Sequence, residues 1–253
     1  MSFSTADFKV IEQKVKLPID TANFEPQHGG GGGGAGSRLV GERKIHGPLF
    51  PDCVRGLVVG KSGSGKTNLI ISLLRHKNGL KFANLYLVSK SLYQTKYDKL
   101  SKVFELIPQI GLYRFSNSAD LPTPDKCKPY SVVIFDDVSS TNELNERMRQ
   151  YFSMARHRNV SVFLLCQSYS RISKALIRDN ANFVVLFRQD ALNLRHVYDD
   201  HLSADDLTFE KFVKVCKYAW NRSPFGFLVL DLEKNLYEGK LRSSFHHFIV
   251  LKE

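Results

Sequence analysis

Gly60-Lys61-Ser62-Gly63-Ser64-Gly65-Lys66-Thr67 has the spacing G-x-x-x-x-G-K-T, and its flanks decide the fold. The apolar run Val54 to Val59, broken by Arg55 and Gly56, is predicted to enter the loop as a strand. Asn68-Leu69-Ile70-Ile71-Ser72-Leu73-Leu74 is predicted to leave it as a helix. Strand, glycine-rich loop and helix in that order aim backbone N–H groups and a positive helix end at phosphates. Lys66 is placed to reach the β- and γ-phosphates and the Thr67 hydroxyl to ligate Mg2+, with Gly60 to Asn68 forming the nucleotide contacts. A chance glycine–serine loop would match the spacing without both flanks. The sequence therefore predicts binding of a nucleoside triphosphate.

The chain has 253 residues, enough for one large or two small domains. Its 43% hydrophobic and 24% charged content suits a soluble globular protein, but a formal charge of +11 is high. Residues 1–37 carry three lysines and four acids, a net of −1, so the remainder holds +12. Such an excess favours a polyanionic partner: DNA, RNA or an anionic membrane surface. Cys53, Cys127, Cys166 and Cys216 form no C-x-x-C pair, and the eight histidines show no metal-ligand spacing. Neither a disulfide framework nor a zinc site is expected, as suits a reducing compartment. Met1-Ser2-Phe3-Ser4-Thr5 lacks signal-peptide character, and no apolar run nears the ~18 residues of a membrane span. The expectation is a soluble intracellular protein.

Six consecutive glycines, Gly29 to Gly34, open a linker at 29–37 that is expected to be flexible. It separates a tail, 1–28, from a nucleotide-binding domain, 38–253, whose portion 190–253 is taken as an extension of the same domain. The tail reads either as a disordered segment or as a docking peptide. Beyond the linker, strands are expected at Asn84 to Ser89, Gly111 to Phe115, Ser131 to Phe135, Val160 to Cys166, Phe183 to Phe187 and Phe225 to Leu230. Helices are expected near Tyr93 to Leu106, along Leu144 to Ala155, briefly around Ile172 to Ile177, and from a Ser203 cap through Trp220. This alternation predicts an α/β fold, a mostly parallel sheet with helices on both faces.

Seventy residues after Lys66, Val132-Val133-Ile134-Phe135 delivers Asp136 and Asp137 to the end of a buried strand. Asp136 is placed to hold Mg2+ through its water shell, and Asp137 to orient and deprotonate the attacking water. Asp137 reads alternatively as a turn or cap residue, since Ser139-Ser140-Thr141 follows. Tandem acids suit a hydrolytic motor, whereas neither the N-K-x-D segment of GTPases nor the L-S-G-G-Q of transporters is present. Gln167 closes the strand Val160 to Cys166, where it either senses the γ-phosphate or begins a surface loop. Arg156-His157-Arg158 either favours a helix carboxyl terminus or supplies a guanidinium to a neighbour's γ-phosphate.

The ordered set GLVVGKSGSGKT (56–67), SVVIFDDV (131–138), ARHRNVSVFLLCQS (155–168) and IRDNANFVVLFRQ (177–189) resembles the FtsK–HerA superfamily of DNA-pumping ATPases. The branch it is most similar to is that of viral genome-packaging ATPases of poxviruses, virophages and Maverick/Polinton elements. The resemblance covers roughly 54–190 and implies a RecA-like P-loop sheet with the Gln167 strand between the phosphate-loop and Asp136 strands. It implies an Mg2+-dependent ATPase acting as a homo-oligomeric ring on double-stranded DNA without sequence specificity. Arg156, with Arg158 in reserve, would complete a neighbour's site, and Gln167 would report the γ-phosphate. A capsid or portal partner and virion assembly in the host cytoplasm or nucleus follow, with no membrane partner. The wider superfamily often carries glutamate where this chain has Asp137. Basic residues near 90–102 and 169–178 are candidates for gripping DNA phosphates. Two other readings stay open at this level: a cellular HerA-like translocase and a nucleotide-switched scaffold.

Overall fold

The structure is a computed structural model and describes residues 3–4, 7–19, 46–93, 95–138, 141–175 and 177–252. The strands are β1 (Phe3–Ser4), β2 (Phe8–Glu12), β3 (Arg55–Val59), β4 (Asn84–Val88), β5 (Gly111–Phe115), β6 (Ser131–Asp136), β7 (Val160–Cys166), β8 (Phe183–Phe187), β9 (Phe227–Asp231), β10 (Leu241–Ser243) and β11 (His247–Leu251). The helices are α1 (Lys66–Arg75), α2 (Thr95–Glu105), α3 (Asn142–Met154), α4 (Ala191–His201) and α5 (Phe209–Asn221). Among the described residues the strands form one sheet in the order β1-β2-β11-β10-β9-β8-β3-β7-β6-β4-β5. From β8 to β5 every pairing is parallel, and from β8 outward to β1 every pairing is antiparallel. The strand carrying Cys166 lies between β3 and β6, as the resemblance implies.

The side-chain period of two explains why these strands are apolar almost throughout. Leu57 and Val59 face a core shared with α3, α4 and α5, whereas Val58 faces the opposite core, shared with α1 and α2. β6 and β8 are buried at every position because helices cover both sides. The doubly covered parallel sheet predicted from the sequence is therefore present.

Three expectations need correction. The tail is not wholly loose: β2 pairs with β11 in register from Phe8↔Leu251 to Glu12↔His247. Phe8 and Val10 are buried while Lys9 and Ile11 point outward, the Phe8 ring packs edge-on against Tyr218 at 5.2 Å, and Lys214 pairs with Asp7 at 3.0 Å. A free β11 edge would expose unpaired backbone groups, and β2 covers it. The linker at 29–37 lies outside the described residues.

Ser203 does not cap a helix. Residues 203–206 close α4, a helix not anticipated from the sequence, and α5 begins at Phe209 behind a Thr208 cap whose side chain accepts from Lys211 N at 3.3 Å. The short helix around Ile172 to Ile177 is likewise replaced, among the described residues, by isolated turns before a single 3-10 turn at Arg178–Asn180. Charged residues there bond outward to α4 instead of stacking along a helix of their own.

Candidate nucleotide site

The carboxyl ends of β3, β7 and β6 lie side by side, so the loop after β3, Gln167 and Asp136 reach one edge of the sheet. Helix α1 starts at Lys66 from a left-handed Gly65 (φ 101°). An L side chain is strained at that backbone angle, which fixes glycine at the turn into the helix. Gly60 is needed for a different reason: a Cβ there would sit 2.5 Å from Ser64 Oγ and 2.7 Å from Phe187 Cβ. The loop is thus threaded against β8, and its shape follows from two glycines with separate jobs.

A cavity of about 380 Å³ opens over this edge, lined by Gly63, Gly65, Lys66, Thr67, Asn68, Asp136, Asp137 and Gln167 together with Ser62. Lys61 and Ser64 line instead an adjoining cavity of about 830 Å³ on the β8 side, where the second wall is 220–226. Lys66 Nζ donates to the carbonyl oxygens of Gly60 (2.6 Å) and Lys61 (3.0 Å). Burial lowers the Lys66 pKa, with Asp136 opposing that shift. A cation held by loop carbonyls and partly desolvated is poised for phosphate oxygens.

Thr67 Oγ1 donates to Asp136 Oδ2 at 3.0 Å. Asp136 is 7% exposed, and burial raises its pKa. A hydroxyl and a carboxylate meeting on one side of the cavity form a hard-oxygen set that fits Mg2+. Ser64 Oγ is a buried atom without a hydrogen-bond partner among the described residues. Asp137 ends the strand in the left-handed region (φ 51°), which aspartate tolerates better than most residues, and its Oδ2 accepts from Ser91 Oγ at 2.7 Å. The left-handed turn exposes the Asp137 carboxyl next to the cavity that Asp136 enters from the core. Ser139 and Ser140 lie outside the described residues, and Thr141, not Asp137, caps α3, its side chain accepting from Leu144 N at 3.2 Å.

Arg156 and Arg158 are not brought to this cavity. They occupy the 3-10 turn Ala155–Arg158 that precedes β7, at the opposite edge of the sheet. Arg156 is close enough to Cys53, just ahead of β3, to affect its ionisation, and Arg158 does the same for Asp125. β7 is seven residues long, so about 20 Å separates these arginines from the cavity. Sequence reasoning missed Tyr97, Ser91, Lys96 and Phe225. Tyr97 OH donates to Asp136 Oδ2, and Lys96 and Phe225 line the cavity. No local motif marks them, because each arrives from a segment distant in sequence from the phosphate loop.

Among the basic residues near 169–178, Arg178 is corrected to a structural role. It is 8% exposed, donates to Asp200 Oδ2 at 2.7 Å and lies over the Tyr169 ring at 5.0 Å. Lys174 also pairs with Asp200, at 3.2 Å. Arg171 and, on α2 and the turn before it, Lys90 and Lys96 are exposed.

Residues 115–219 match the family model described as poxvirus A32 protein. The chain resembles the A32 family. The matched stretch runs from the end of β5 into α5, and so contains Asp136, Asp137, Arg156, Arg158 and Gln167 but not the phosphate loop. Three of the four segments that carry the motif resemblance, 131–138, 155–168 and 177–189, lie inside the A32 match. The genome packaging NTPase B204 of Sulfolobus turreted icosahedral virus 2, in complex with sulfate, is 15% identical, with a TM-score of 0.50 over 79% of this chain and 97% of that one. The DNA-packaging ATPase B204 of Sulfolobus turreted icosahedral virus is 14% identical, with a TM-score of 0.47 over 78% and 96%. At such identity the first likeness shows the fold. No curated protein matches the chain.

Proposed function

We propose that this A32-like chain is an Mg2+-dependent ATPase that drives double-stranded DNA into a viral or virus-like capsid. The observation that carries the proposal is the convergence of Lys66, Thr67, Asp136, Asp137 and Gln167 on one cavity from three adjacent parallel strands. Loop amides, α1 and Lys66 bind the phosphates; Thr67 would ligate Mg2+ and Asp136 would hold it through its water shell, and the ion would supply charge neutralisation. Asp137 takes the proton of the attacking water, and Gln167, exposed at the end of β7, senses the γ-phosphate. The nucleoside lies along the adjoining cavity on the β8 side, which shares Ser62, Gly63 and Phe225 with the phosphate cavity.

The working form is a homo-oligomeric ring in which Arg156 or Arg158 serves the next subunit. Their remoteness from their own cavity supports a trans role over a cis one. The formal charge of +11 supports a ring gripping phosphates without reading bases. Arg171, Lys90 and Lys96 are the candidate grips. A capsid or portal protein is the further partner, and assembly takes place in the host cytoplasm or nucleus. Among the described residues no helix is long and apolar enough to cross a membrane.

The test is steady-state ATP hydrolysis at low salt, with and without long double-stranded DNA, alongside solution mass. A multimer whose turnover rises with DNA, and loses that rise as salt increases, is the expected result. An assembled protein that binds ATP without turnover or DNA response would overturn the translocase reading in favour of a nucleotide-switched scaffold.

A further inference from the structure

Asp136 Oδ2 accepts two hydrogen bonds, one from Thr67 Oγ1 on α1 and one from Tyr97 OH on α2. Tyr97 is 2% exposed and packs in the core shared by α1 and α2. A phenol, with an ordinary pKa of about 10, is a donor at neutral pH. A buried carboxylate rotates about its last bond unless it is held, and one a fraction of an ångström out of place holds a metal's water shell poorly. One donor on one oxygen leaves that rotation open. A second donor, arriving from another helix, closes it and turns the remaining lone pairs to one side.

Lys96, the residue before Tyr97, lines the phosphate cavity from the first turn of α2. The same hydrogen bond that orients Asp136 therefore fixes how far a lysine on α2 stands from the phosphates. α2 also buries Leu100 and Phe104 in the core it shares with α1 and is tied to β5 through Arg114, whose guanidinium donates to Ser101 Oγ at 3.2 Å.

We propose that Tyr97 is a positioning residue that holds Asp136 for the metal and ties α2 to the filling of the site. This rests on the reading of Asp136 as the metal carboxylate. A change at Asp136 on metal binding is felt by Tyr97 and carried into a helix with lysines on its exposed face. Conversely, a polyanion that shifts α2 alters the metal site.

The experiment measures Mn2+ binding to the full chain in the presence of a non-hydrolysable ATP analogue, by the loss of free-ion electron paramagnetic signal. Wild type and Tyr97→Phe are compared, and analogue affinity in chelator is measured for both. The expected result is a Mn2+ dissociation constant about 10-fold weaker for Tyr97→Phe, with chelator-phase analogue affinity unchanged. Equal Mn2+ affinity in the two proteins overturns the positioning role, whatever happens to thermal stability. Absence of Mn2+ binding by wild type would instead overturn the metal reading of Asp136. Amide exchange on wild type gives a second readout that needs no variant. Protection over 95–105 should rise when Mn2+ and analogue are added together beyond that with analogue alone, and an unchanged pattern overturns the link to α2.

Discussion

Asp136 and Asp137 are neighbours in sequence with opposite surroundings. Asp136 is buried and accepts from Thr67 and Tyr97, whereas Asp137 turns outward through a positive φ and accepts from Ser91. A metal ligand gains from immobility, and a proton acceptor gains from access to water, so the two environments suit the roles proposed for them. The shorter arm of aspartate, compared with the glutamate common in the wider superfamily, is compatible with Asp137 because the turn itself carries the carboxyl to the cavity. Asp137→Asn should lower ATP turnover by at least about 100-fold while leaving nucleotide affinity within a factor of two or so. Turnover near wild type in a single-turnover assay would assign the base to another residue.

At the scale of elements, the segment following Gln167 is anchored on α4. Tyr169 OH donates to Asp200 Oδ2 at 3.0 Å and lies 2.7 Å from His201 Nε2, and Arg178 completes the cluster. His201 is held near a pKa of about 4, chiefly by burial. His46 is also near 4 for that reason, wedged between Ser161 Oγ at 2.8 Å and the Lys81 amide at 3.0 Å. Both folded values lie below the ordinary 6.5, so between pH 6.5 and 4 the unfolded chain binds more protons than the folded one. Stability is then full above about 6.5 and falls as pH is lowered, by up to about 3 kcal/mol for each histidine. Asp136 and Asp231, both raised by burial, act in the opposite sense at the acid end. Urea midpoints at pH 7, 6 and 5 should decrease in that order, and His201→Gln should flatten the slope. A slope unchanged by that substitution would mean that His201 does not titrate on unfolding.

For the whole molecule, the sheet separates two edges with different assignments: the nucleotide cavity at the carboxyl ends of β3, β7 and β6, and Arg156 and Arg158 at the amino end of β7. One subunit does not join these edges, but a ring of subunits can. Mixing wild type with Arg156→Ala should therefore reduce DNA-stimulated hydrolysis more steeply than the fraction of variant added. Strict proportionality, with the mixed assemblies verified by mass, would remove Arg156 from the trans role.

The sequence by itself determined the phosphate loop, the strand and helix around it, the tandem acids and the apolar strands of the parallel half. Those features are local: G-x-x-x-x-G-K-T needs only its own spacing, and a strand covered on both faces is apolar wherever it lies. Tertiary structure alone decided the rest. α4 escaped notice because it buries only two apolar side chains, Leu194 and Val197, beside the polar Asn193, and so writes only a faint stripe. The tail strand escaped because five residues gain their place only by covering the β11 edge at the far end of the chain. Arg178, legible as one more surface cation, became a buried anchor once folding placed Asp200 beside it. Tyr97 reaches Asp136 across a sequence separation of 39, a meeting made by the packing of α2 on the sheet and written in no spacing.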